Sequence, residues 1–266
     1  MRHPLRATKV RKPPPPKPHP SAPKWPTFRG RAQLTGASPG GRVTVYVDPT
    51  LGARGLQNAQ DLLADADRIV KANDVLFGTR SGNTNVIIFA LGGQTDGTGG
   101  ADHNGCDYVT GADIEVCASF GNSARVSALF EAELSECSMG GNLCGMSTGE
   151  ALSRKCAEVV GMKALADFAT APAWVSGGMK NFVDHTDPTD RKAGSTGCGM
   201  AFLSWLRSLG FGLDKIAPAM VALGDKGALA GLYASLTKDS AANAWPRFKA
   251  AVLALPGGIV DDDPFG

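Results

Sequence analysis

The sequence predicts an α+β domain behind a basic, proline-rich arm, and three observations lead there. Runs with strand character fall only between residues 41 and 121, apolar residues recur at i, i+3 and i+4 from Asn122 onward, and residues 1–31 contain no acid.

The elements follow in chain order. Residues 1–31 carry nine Lys/Arg and nine Pro, a composition that buries too little apolar surface to fold and favours extended polyproline geometry, so a disordered arm is expected there and a single domain over 32–266. "GRVTVYVDP" (41–49) alternates Val43, Val45 and Val47 before a turn-forming Asp-Pro, the pattern of a half-buried strand. "LQNAQDLLADADRIVKAN" (56–73) spaces Leu62, Ala66, Ile69 and Val70 as a helix, and "TNVIIFAL" (84–91) is a continuous apolar strand. Residues 92–105 read as a glycine-rich loop, and "CDYVTGADIEVCASFG" (106–121) as one or two short strands. Helical spacing then predicts helices at 123–138, 148–161, 196–209, 213–222, 226–236 and 241–254. A small mixed sheet in the N-terminal half is thus followed by a helical C-terminal half.

Charge narrows the function classes. Nine of the 27 basic residues sit in the arm, so 18 remain against 25 acids and the body carries about −7 although the whole chain is +2. A basic arm on an acidic body suits nucleic acid, an acidic membrane surface, an SH3-like partner or its own domain, and equally a solvated linker; no nucleic-acid partner is assigned on this basis. No stretch reaches the 18 or so apolar residues of a membrane span and no signal peptide opens the chain, which points to the cytoplasm by default. Six cysteines, an even number, point instead to an extracellular setting if they are paired. Their positions suggest bridges Cys137–Cys144 and Cys106–Cys117, leaving Cys156 with Cys198.

Two motifs invite catalytic readings. Gly145-Met146-Ser147-Thr148-Gly149 has the form of a serine-hydrolase elbow, but "SMGGNLCGM" before Ser147 is no buried strand, and His185 follows too closely for triad spacing. Ser147-Thr148-Gly149-Glu150 reads better as a capping box opening the next helix, with Glu150 and Arg154 as an i,i+4 pair. Gly197-Cys198-Gly199 lacks the strand and lysine of a phosphate loop, and its small residues predict a helix start that passes close to another backbone.

The second motif concerns glutamates. On a wheel of the 123–138 helix with Val126 at zero, Glu133 falls at about −20°, inside the apolar stripe, Glu136 at about −80° on its flank, and Glu131 at about 140°, on the side expected to be solvated. A carboxylate aimed at the core needs a partner, a proton or a metal, so Glu133 faces either a cleft or a buried cation.

On these residues a resemblance stands. The order strand, helix, strand, short strand, helix centred on Glu133, helix opening on Glu150 resembles the N-terminal half of gluzincin-type zincin metallopeptidases. "FEAELSE", "CGMSTGEALSR", "APAWV", "NFVDHTDPTD" and "STGCGMAFLSWLRSLGF" are similar to an uncharacterised bacterial family with a core like that of plant basic secretory proteins, from about Arg42 to Lys249. The resemblance implies a zincin-like fold, with H-E-x-x-H supplying two zinc ligands and the general base and a glutamate on the following helix the third ligand. Here the motif reads Ala132-Glu133-Leu134-Ser135-Glu136: the base position is kept and both histidines are lost. Metal ligation, if retained, falls to Glu136 and Glu150, with His103 or His185 brought in from other elements, and such a set suits Ca²⁺, Mg²⁺ or Mn²⁺ better than Zn²⁺. A lone loop histidine is more often a hydrogen-bonded surface residue, Glu150 reads better as a cap than as a ligand, and Asp184, Asp187 and Asp190 as a solvated turn rather than a calcium loop. The functional expectation is a pseudo-peptidase-like module that binds a peptide or protein in the old cleft; the alternatives are a metal-dependent hydrolase with Glu133 as base and, behind it, a serine hydrolase using Ser147.

Overall fold

The computed structural model describes residues 22–109 and 111–266. Five strands form one mixed sheet in the order β1-β2-β3-β5-β4: β1 is Gln33–Ala37, β2 Val43–Val47, β3 Thr84–Phe89, β4 Ala101–Asp107 and β5 Gly111–Cys117. The central pairs β2–β3 and β3–β5 are parallel, and the outer strands β1 and β4 run antiparallel to their neighbours. Between β2 and β3 lies α1 (Gly52–Phe77), which buries Leu62, Ala66, Ile69 and Val70 against the sheet as the periodicity predicts. Next come α2 (Ser123–Ser138), α3 (Ser147–Val160), the short α4 (Ala171–Ser176), α5 (Ala193–Ser208), α6 (Leu213–Leu223), α7 (Leu229–Thr237) and α8 (Ala244–Leu253). The chain is therefore α+β, sheet first and helices second. No helix among the described residues is long and apolar enough to cross a membrane.

Two cores explain the layering. Val43, Val45, Ile88, Ile114 and Val116 meet α1 and the Val126, Phe130 and Leu134 side of α2. The C-terminal helices pack around α5, whose Phe202 and Trp205 meet Phe248, with Trp174 stacked on Phe248 at 5.6 Å. The small residues that open α5 allow two close passages: a Cβ on Gly197 would stand 2.2 Å from the Thr170 carbonyl, and one on Gly199 2.5 Å from Ala151. α5 is thereby pressed onto α3 and the start of α4.

Three expectations are corrected. The arm predicted over 1–31 lies outside the described residues only to position 21. Residues 22–31 rest on the outer face of the sheet, where Glu115 accepts from the Thr27 and Phe28 amides at 2.9 and 2.6 Å and Phe28 packs edge-on against Phe89. The glycine-rich loop 92–105 ends in β4, a strand without apolar alternation because it is an edge held by pairing to β5. Finally, the disulfide is Cys106–Cys144, whereas Cys117, Cys137, Cys156 and Cys198 are free and buried. Cys106 and Cys117 sit at opposite ends of the β4–β5 hairpin, where Cys117 N donates to Gly100 O, and so cannot meet.

Candidate binding cleft

A cavity of about 380 Å³ opens between the edge strand β4, helices α2 and α3, the segment after α3 and the C-terminal tail. Asp102 and His103 of β4, Glu133 and Glu136 of α2, and Glu150, Ser153 and Arg154 of α3 line it. Burial of Val126, Phe130 and Leu134 fixes the rotation of α2, which leaves Glu133 and Glu136, three residues apart, as neighbours on the cleft side. The Asn122 side chain caps this helix by accepting from Arg125 N at 3.2 Å. α3 starts hard against the preceding loop, because a Cβ on Gly149 would lie 2.2 Å from Leu143 O, and its Glu150, Ser153 and Arg154 share one side. The Cys106–Cys144 bridge and the Gly141 N to Cys106 O bond at 2.9 Å hold the end of β4 beside the α2–α3 junction.

That placement sets His103 over the glutamates. Its Nε2 is 2.8 Å from Glu136 Oε2 and 3.9 Å from Glu133 Oε2, while Nδ1 faces the Gly105 carbonyl. With Nδ1 donating to a carbonyl, a second proton is needed between Nε2 and Glu136. Burial acts against the imidazolium, yet the Cys137 side chain, the Glu136 carboxylate and the Glu133 charge together push His103 up to about 12. Burial, reinforced by Glu136, lifts Glu133 well above the usual carboxylate range against the pull of His103. Glu136 also accepts from Ser153 Oγ at 3.1 Å. Glu150 is paired with Arg154, whose Nε lies 2.6 Å from its Oε1, and burial pushes it up to about 7 against that partner.

Three of the four proposed ligand residues therefore meet Glu133 in one cavity. His185 does not: it is 54% exposed, packs beside Phe182 and lies 4.0 Å from Asp187. Asp187 is instead tied to the start of α3, donating its amide to Ser147 Oγ and accepting from Ser147 N, each at 3.0 Å. These bonds displace the expected capping box. Met146 is the N-cap residue without a side-chain bond, Ser147 is already helical, and Glu150 turns into the cleft toward Arg154. Only Asp190 of the Asp184, Asp187 and Asp190 run reaches the cavity. Among the described residues, no three His, Cys, Asp or Glu side chains form a group able to hold a metal ion.

Glu131 is the largest correction. Placed on the solvated side by the wheel, it is fully buried, with Oε1 accepting from Asn73 Nδ2 at 3.2 Å and Ser135 Oγ at 3.2 Å, because α2 is covered by α1 and α3 on flanks that a one-faced wheel leaves open. Burial pushes its carboxyl to about 8 from 4.5, so at neutral pH the folded chain holds a proton that the unfolded chain releases. Its contribution to stability is full below pH 4.5 and falls as pH rises toward 8. Between pH 5 and 7 this should cost about 3 kcal/mol, and Glu131→Gln should flatten that slope in urea denaturation at the two pH values. Glu131→Ala, expected from the sequence to be silent, should now destabilise by about 2–4 kcal/mol.

Several cleft residues lie outside the sequence reading. Arg125, 2% exposed, donates to Gly99 O at 2.6 Å and Asp167 Oδ2 at 2.7 Å, fixing the segments on either side of the mouth. Asp262 closes another wall and accepts from the Thr170 and Ala171 amides at 2.8 and 2.6 Å. Its sequence signal is no more than its place in the acid run Asp261–Asp263, which has no spacing that marks a site. No protein-family model matches the chain, and no curated protein matches its sequence.

Proposed function

We propose that the chain is a zincin-like module whose degenerate metallopeptidase centre serves as a binding cleft for a peptide or protein, with Glu133, Glu136 and His103 as the polar groups that receive it. One observation carries the reading: the groups at the centre are engaged with one another, His103 with Glu136 at 2.8 Å and Glu150 with Arg154 at 2.6 Å, around a cavity of about 380 Å³. The donor set does not fit zinc. Alanine stands at position 132, one imidazole among the described residues reaches the cavity, and the following glutamate is held by an arginine. A pocket of this size with a few convergent polar groups is the usual form of a ligand site.

A second reading, a hydrolase that works with Ca²⁺, Mg²⁺ or Mn²⁺ and uses Glu133 as base toward water, is favoured by one feature. Glu133, Glu136 and Glu150 face the same space, and hard cations take such oxygen donors. For the binding reading, a random peptide array probed with the full chain should show a defined subset of ligands. Glu136→Gln, which frees His103 from its carboxylate, should weaken that subset tenfold or more while leaving the melting temperature within a few degrees. An array profile identical for the wild type and Glu136→Gln would place binding elsewhere on the surface.

A further inference from the structure

We propose that the cleft is a docking site for a cationic, proline-rich segment, and that its occupant is residues 1–21 of this same chain; this rests on the cleft being a peptide site, as argued above. The base of the arm shows the route. Thr27 and Phe28 are bound to Glu115 on β5, and Lys24 N then donates to Asp113 Oδ2 of β5 at 2.6 Å. Asn104 of β4 in turn donates to Lys24 O at 2.9 Å. Traced toward its N-terminus, the chain thus crosses the outer face from β5 to the edge strand β4. Asp102, two residues from Asn104 on the same face of that strand, lines the cavity. The 21 residues that follow toward the N-terminus, at about 3.3 Å each when extended, are long enough to round the strand edge and reach the cavity.

Charge specifies the occupant. Eight side chains around the cavity are carboxylic acids, Asp102, Glu133, Glu136 and Asp190 among them, against four cationic ones. Residues 1–21 hold six Lys/Arg, seven Pro and no acid. Arg6, Lys9, Arg11 and Lys12 precede the run Pro13–Pro16, and Lys17 follows it, so the cations stand on both sides of the proline run. Tethering supplies a high effective concentration, so modest affinity is enough to fill the site in cis.

The test uses full-length chains and a synthetic peptide of residues 1–21 as probe. In one chain the arm is neutralised by Arg2→Gln, Arg6→Gln, Lys9→Gln, Arg11→Gln, Lys12→Gln and Lys17→Gln. The peptide should bind this chain at least tenfold more tightly than the wild type, whose cleft its own arm fills, and the binding should weaken at 1 M salt and on adding Asp102→Asn and Asp190→Asn. Equal binding to both chains, or binding indifferent to Asp102→Asn and Asp190→Asn, would overturn the proposal. If array peptides bind wild type and neutralised chain equally well while the arm peptide binds neither, the arm proposal fails and the cleft reading stands. If no peptide of either kind binds, both fail.

Discussion

Lys155→Met should destabilise the chain by about 5 kcal/mol, the largest loss expected from a single substitution here. Lys155 is fully buried on α3, and its Nζ donates to Glu158 Oε2 at 2.5 Å, Asp262 O at 2.7 Å and Asp263 Oδ1 at 3.1 Å. Methionine fills the same space, so the loss comes from stranding two acids rather than from a void. Burial already pushes Glu158 up, and removing its partner leaves only the cost of desolvation. Asp263 retains Ser204 at 2.8 Å and Arg207 at 3.2 Å, so Glu158 should account for most of the loss. Urea denaturation measures this, and a triple change adding Glu158→Gln and Asp263→Asn should recover much of it, because the penalty lies in the unpaired charges. The cluster also matters for the cleft, since it holds the tail that supplies Asp261 and Asp262 to the wall. A loss below about 1 kcal/mol would contradict the stabilising role given to these contacts.

His103→Ala is the second large effect, about 3 kcal/mol at pH 6.5, because Glu133 and Glu136 lose the positive charge they share. The imidazole is lifted from 6.5 to about 12 in the fold, so the stability it contributes is complete below pH 6.5 and declines as pH rises through that window. The deficit of His103→Ala against the wild type should therefore be widest at pH 6.5 and measurably smaller, though not abolished, at pH 9. Thermal melts of the two chains at both values provide the comparison. Imidazole NMR signals should still report the protonated ring at pH 8; a ring that titrates near 6.5 would contradict the arrangement.

Much of the scaffold was legible because its elements bury one face. α2 is predicted over 123–138 and found over Ser123–Ser138, β2, β3 and α1 follow from their apolar patterns, and the close passage at the start of α5 from its small residues. β4 was hidden for a physical reason: "ADHNGCD" lines a polar cleft on one side and the sheet edge on the other, so neither face is apolar. β1 and α4 were also missed, both being short. The wheel set Glu133 inside the apolar stripe and Glu136 on its flank, and both line the cavity beside the side of α2 that meets the sheet. It misplaced Glu131 because α2 is covered on more than one side, and a carboxyl that keeps its proton can occupy such a flank. The role of His103 depended on a non-local register, β4 against β5 with Cys106 bridged to Cys144, which no local spacing encodes. Lys155 and Arg125 were silent for the same reason, since Asp262 and Asp263 for the one and Gly99 and Asp167 for the other lie far along the chain.

The most direct measurement is elemental metal analysis of the full chain purified without chelator, coupled to peptidase and esterase assays with and without added Mn²⁺, Ca²⁺, Mg²⁺ and Zn²⁺. A binding cleft whose groups are engaged with one another, His103 with Glu136 and Glu150 with Arg154, predicts far less than one metal per chain and no turnover under any addition. One metal per chain, with metal-dependent turnover abolished by Glu133→Gln, would contradict it and establish the hydrolase instead.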